Sequence, residues 1–246
     1  MQRQKFILTV NFFAFLLYAF NQNKETAIGQ VKNSLKQKAN IQNAKEIGTN
    51  IFNQQSIILT IKSGSIIEKP LDTAAADSAF KIASAVFSSM EFQQGINVLS
   101  FKRSSYCRNR TSCTKNEKDN GERIPGSIVL SDLFKERNVV LFFRLMQKGH
   151  ALGNTCLGEY DMTAYYDNIM WDMRKDSMPP AYKIAVNVCH EYMHQIGYCH
   201  IYGKLNEVDE EPDKRYIDED VTYRIGWNAY YVLKAWYARK EIIKGL

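Results

Sequence analysis

Three of the chain's four histidines stand between His190 and His200, in the stretch Asn187 to His200, NVCHEYMHQIGYCH. The pattern HExxHxxGxxH combines metal ligands with a base beside them. On a helix, His190 and His194 lie about 40° apart around the axis and about 6 Å apart along it, so one ion can take both. Glu191, about 100° round from His190, lies beside that ion and not behind it. Were the helix to continue, His200 would stand about 15 Å along the axis from His190, against a zinc–nitrogen bond of about 2.1 Å. Gly197 can take the left-handed conformation that ends a helix and turns the chain back, which brings His200 in as third ligand. Three neutral imidazoles point to Zn²⁺ as cofactor, with a position left for water and Glu191 to take its proton.

The rest of the helix is patterned around this stripe. At about 100° per residue, Lys183, Asn187, His190 and His194 share one narrow face with Glu191 at its edge. Ala181, Ala185, Val188, Cys189, Tyr192, Met193 and Ile196 fill the opposite side, so the ligand face is expected to turn away from the core. A single helical histidine is more often structural, and HExxH alone arises by chance. The added GxxH at the required spacing favours a zinc site.

This stretch resembles the zinc-binding signature of the metzincin clan of metallopeptidases. The resemblance implies an α+β catalytic domain: a twisted mixed sheet, a packing helix, an active-site helix and a small C-terminal subdomain. It also implies an edge strand before the active helix that pairs with an extended peptide substrate, here between Leu152 and Trp171. Metzincins carry a methionine in a turn beneath the metal, yet no methionine follows Met193 in this sequence. The corresponding turn is expected at Asp220 to Gly226, DVTYRIG, with Val221 or Thr222 as its floor. Tyr223 then falls where some metzincins have a tyrosine that steadies negative charge in the transition state. The plainer reading is that Tyr223, one of fourteen tyrosines, simply packs.

Residues 1–20 read as a signal peptide or N-terminal anchor, because Arg3 and Lys5 precede the uncharged run FILTVNFFAFLLYAF. Cleavage after Ala19 implies a secreted or otherwise extracytoplasmic protein, and membrane contact only if the segment is uncleaved. Residues 21–55 form a Gln/Asn/Lys-rich extension, and residues 56–246 the catalytic domain. The net charge of +6 falls to +4 without Arg3 and Lys5, which is too mild to imply nucleic acid as a partner. A basic middle from Lys102 to Arg123 contrasts with an acidic segment from Glu207 to Asp220. The acidic run is either a solvated loop or a cleft border that favours basic substrates. Five cysteines in an exported chain imply two disulfides and one thiol left over. Cys107 and Cys113 can close a small loop, Cys199 can pair with Cys156, and Cys189 sits on the apolar helix face as a buried free thiol.

Along the chain, Ser56 to Ile67 reads as a strand or short hairpin turning at Gly64. Asp72 caps a packing helix that runs to about Met90, with Phe80, Ala83, Phe87 and Met90 at helical spacing. A strand is expected within Phe92 to Lys102, a basic loop over Ser104 to Gly126, and a short helix over Ser131 to Glu136. Asn138 to Met146 is the clearest buried strand, and His150 in the glycine-punctuated stretch after it reads as an ordinary loop residue. Asp167 to Met173 reads as a strand. Pro179 and Pro180 open the active helix with Asp176 or Ser177 as cap, and a last helix is expected near Trp227 to Lys244.

The reading is a secreted, monomeric zinc endopeptidase acting on peptide or protein substrates, with Glu191 as general base. Its rivals are a gluzincin-like site with a carboxylate such as Glu219 as third ligand, a metallohydrolase acting on a non-peptide amide, and a degenerate metal-binding surface protein.

Overall fold

The strand with the strongest sequence signal organises the sheet. In the computed structural model, which describes residues 54–102, 122–155, 158–200 and 218–240, Asn138–Met146 is a strand over its whole expected length. The N-terminal segment and extension, most of the basic and acidic runs, and Cys107, Cys113 and Cys156 lie outside the described residues.

The elements are β1 (Ile58–Ile61), β2 (Ile66–Ile67), α1 (Thr73–Phe87), α2 (Met90–Asn97), β3 (Ser100–Lys102), β4 (Arg123–Pro125) and α3 (Gly126–Leu133). Then follow β5 (Asn138–Met146), β6 (Gly153–Thr155), β7 (Asp161–Tyr165), α4 (Tyr166–Asp172), α5 (Pro180–Gln195) and α6 (Val221–Arg239). The main sheet is mixed and twisted, in the order β1, β5, β7, β6, with β2 also on β5. β1, β2 and β7 run parallel to β5, while β6 is antiparallel to β7 at the edge. The coarse α+β expectation therefore holds.

Alternation along β5 decides which face is covered. Val139, Leu141, Phe143 and Leu145 are buried, whereas Val140 is 52 % exposed. The buried row meets α1, where Phe80 packs edge-on against Phe143 with ring centroids 4.9 Å apart. α1 and α5 lie against each other and the sheet, and α6 packs against α5. Phe87 reaches Tyr192 of α5 at 5.9 Å, so this layer is continuous. Among the described residues no helix is long and apolar enough to cross a membrane.

Several local expectations are corrected. Ser56 to Ile67 does not form a hairpin: β1 and β2 both pair with β5, in parallel. Asp72 caps α1 as expected, accepting from the Ala74 amide at 2.8 Å, but the helix stops at Phe87. Ser89 caps a second helix, α2, through Phe92 N, so the strand expected within Phe92 to Lys102 shrinks to Ser100–Lys102. The short helix starts earlier, at Gly126, where the missing side chain matters: a Cβ would stand 1.9 Å from the Ile96 carbonyl oxygen. Asp167 to Met173 is helical and not a strand, because the strand ends at Tyr165 and the chain turns directly into α4.

The register of β5 is testable. Phe143→Ala removes a ring in the α1 interface and is expected to cost about 3–5 kcal/mol in denaturant unfolding. Val140→Ala, on the exposed face, is expected to stay within about 0.5 kcal/mol; equal losses would contradict this register.

Candidate metal centre

Gly197 acts as the spacing requires. α5 ends at Gln195, and Gly197 takes φ of 111°, a value that residues with a Cβ rarely adopt. The chain turns back under the helix, with Tyr198 N bonded to the Met193 carbonyl at 2.9 Å and the Tyr198 hydroxyl donating to Asp132 at 2.7 Å. His200 thereby joins the other two. Ring centroids are 5.1 Å apart for His190 and His194, 5.2 Å for His190 and His200, and 4.6 Å for His194 and His200. One nitrogen of each lies within 4.8 Å of the others. His150 does not belong to this group.

The outer side of each ring is occupied. His194 Nδ1 lies 2.7 Å from the Tyr198 carbonyl oxygen, an acceptor that keeps the proton on Nδ1. His190, whose Nδ1 side faces α6 at Gly226, is hydrogen-bonded to the backbone of Thr222. His200 Nδ1 lies 3.0 Å from Thr222 Oγ1, which donates to Asp220 Oδ1 at 2.7 Å, and 3.4 Å from Asp220 Oδ2. With Nδ1 of His194 and His200 engaged, Nε2 is the nitrogen these two rings have left for an ion, the arrangement that orients imidazoles on a metal. Nitrogens around a tetrahedral zinc stand about 3.4 Å apart, given bonds of about 2.1 Å, so small side-chain shifts close the set on an ion. The residues fit Zn²⁺.

Burial favours the neutral form of His190 and His194. It pushes His190 well below the ordinary histidine value and His194 down to about 4, with the neighbouring rings adding to both shifts. Burial alone would raise the Asp220 carboxyl, but hydrogen bonds from His200, Thr222 and the Tyr223 amide hold it low. Glu191, 4 % exposed, is pushed up to about 8 by desolvation.

Part of the ligand face is covered, contrary to the amphipathic expectation: Lys183, Asn187 and Glu191 are buried, while His190, His194 and His200 are half-buried. Two elements distant in sequence cover it. β6 crosses it at Gly153, where an added Cβ would stand 2.4 Å from Glu191 Oε1, and Thr155 lies 3.4 Å from Gln195 at the other end. α6 approaches from the other side, with Gly226 so close that a Cβ would meet His190 Cβ at 3.3 Å.

Asp220 to Gly226 is not a turn but the start of α6, because Asp220 caps it by accepting from Tyr223 N at 3.0 Å. Thr222 still lies beneath the histidines, and Tyr223 stacks on His200 at 4.5 Å and reaches His190 at 5.2 Å. Neither Asp176 nor Ser177 caps α5: Pro179 occupies the cap, and Asp176 accepts from Tyr230 at 2.7 Å and Lys234 at 2.9 Å. Glu219 is held by Arg123 at 2.7 Å and Lys102 at 3.8 Å, away from the histidines. Cys189 is a buried free thiol as expected, and Cys199 is disulfide-bonded; the expected pairings with Cys156 and between Cys107 and Cys113 fall outside the described residues. Sequence reasoning missed the role of Asp220, which stands at the end of an acidic run. The available signal was an Asp immediately before helical periodicity, the mark of a cap.

No family model, curated protein or solved structure matches this chain.

The opposed shifts predict how metal-free stability depends on pH. Glu191 carries a proton in the folded state up to about 8 but loses it near 4.5 when unfolded, so its contribution falls as pH rises across that range. His190 and His194 act oppositely, their contribution being lost as pH falls below 6.5. From pH 6.5 to 8 the Glu191 effect stands alone. Chelator-treated protein is expected to melt at falling temperature over this range, and Glu191→Gln to remove most of the slope. An unchanged slope in that variant would assign it to other groups.

Proposed function

We propose that the protein is an exported zinc endopeptidase that hydrolyses peptide bonds in peptide or protein substrates. The observation that carries this reading is the convergence of three histidines, each with its outer nitrogen engaged, beside a buried carboxylate under an edge strand. His190, His194 and His200 would hold the ion through Nε2. When bound, zinc supplies a Lewis acid that polarises the scissile carbonyl and lowers the pKa of water towards neutrality.

The chain's own groups do the rest. Glu191 accepts the proton of the attacking water at a carboxylate oxygen and delivers it to the leaving amine. Its burial strengthens it as a base relative to a solvated carboxylate. Among the described residues β6 pairs on one side only, with β7, which leaves its outer edge for an extended substrate. Main-chain pairing there brings a peptide carbonyl beside Glu191, because Gly153 of the same strand lies against that side chain. This edge favours a peptide over a small non-peptide amide. The apolar run at Phe6 to Phe20 and the disulfide at Cys199 support export.

Activity of the purified protein on denatured protein substrates, beside Glu191→Ala, tests the reading. One zinc per chain is expected in both, with turnover lower by about a hundredfold or more in the variant. A zinc-loaded wild type without peptidase activity would sink the proposal, and undiminished activity in Glu191→Ala would remove Glu191 from it.

Tyr223 has a separate test, since its ring lies against two of the three histidines. A phenol donating to the oxygen on which charge develops is worth about 3 kcal/mol when preorganised. Tyr223→Phe is then expected to lower kcat by about a hundredfold with KM and zinc content little changed. Wild-type kinetics in Tyr223→Phe would leave the ring a packing role.

A further inference from the structure

One donor beneath β6 has no acceptor. Asn187 is 4 % exposed, and its Nδ2 is buried without a hydrogen bond among the described residues. Leaving a buried amide donor unpaired costs about 1–3 kcal/mol, so the group calls for a partner. Asn187 stands one helical turn before Glu191, and both side chains end at the same point of the strand above. A Cβ on Gly153 would stand 2.4 Å from Glu191 Oε1 and 2.7 Å from Asn187 Nδ2, which bounds the separation of donor and acceptor at about 5 Å. The unpaired donor and a carboxyl group only 4 % exposed thus lie side by side under a residue whose missing side chain makes room for both.

We propose that Asn187 is a positioning residue for Glu191: in the metal-loaded protein its Nδ2 donates to one carboxylate oxygen and leaves the other free to act as the base. A carboxylate has two oxygens, and the base function uses one. A donor fixed to the second stops the group from rotating, and a hydrogen bond to an ionised acceptor is about twice as strong as a neutral one. Gly153 belongs to the same device, because any side chain there would displace both ends of the pair. The catalytic consequence rests on the peptidase reading; the hydrogen bond does not.

Two measurements separate these claims. In zinc-loaded, isotope-labelled protein, the side-chain amide resonances of Asn187 are expected at hydrogen-bonded positions and should move to the free-amide range in Glu191→Ala. Resonances indifferent to Glu191→Ala overturn the proposal whatever the kinetics show, and this arm needs no activity. In the second arm, Asn187→Leu keeps the volume and removes the donor. It is expected to retain zinc and melting temperature while kcat falls about tenfold with KM little changed. Wild-type kcat in Asn187→Leu overturns the positioning role, since removing an idle orphan donor leaves turnover untouched. If the wild type itself cleaves no peptide, the peptidase reading fails, and the resonance arm still decides whether the hydrogen bond exists.

Discussion

The site depends on one buried carboxylate. Asp220, 1 % exposed, caps α6 through the Tyr223 amide and accepts the Thr222 hydroxyl, which in turn meets His200. Burying a charge is costly unless its lone pairs are met, and here the groups that meet them belong to the helix start and the third histidine together. Helix capping and ligand orientation are therefore one interaction. If α6 began one turn later, His190 would lose the Thr222 backbone, His200 its acceptor, and Tyr223 its place against both rings.

That dependence explains why two glycines stand against the active helix. Polar residues such as Asn187 and Glu191 would ordinarily face water, but here they are buried, and burial lowers the pKa of His190 and His194 and raises that of the Glu191 carboxyl. Covering the face requires backbone to approach helix side chains closely. Gly153 permits it for β6, and Gly226 for α6. Hydrophobic periodicity marks the opposite side of α5 as core but cannot report that the polar side is covered as well, since its covers come from strands and helices far along the chain.

What was legible in the sequence follows the same division. The histidine spacing, the turn at Gly197, the cap at Asp72 and the buried strand at Asn138 to Met146 are local signals, set by helix geometry, backbone sterics or a long apolar run. Asp167 to Met173 misled because a seven-residue apolar-rich segment fits either period, and the strand before it, β7, took the place beside β5. α2 was hidden because the short apolar run Ile96 to Phe101 fits a strand, whereas the helix takes its start and Val98, just past the helix end, is 77 % exposed. The hydrogen bonds behind His190 and His200 were out of reach, since they join residues more than twenty positions apart through a helix whose first residues read as a tight turn.

The methionine that a resemblance to metzincins would place beneath the histidines has other groups in its place here. A thioether beneath three imidazoles fills space and offers only a weak acceptor. Thr222 and Tyr223 fill the same region with a hydroxyl linked to a buried carboxylate and with an aromatic face stacked on His200. Hydrogen bonding of this kind raises the basicity of a ligating imidazole, which inert packing does not. The third histidine, held by the turn after Gly197 and not by the helix, is also the candidate ligand whose position is least fixed by local geometry. It is the one that needs a partner from elsewhere, and α6 supplies that partner at its first turn, where a cap residue was required in any case.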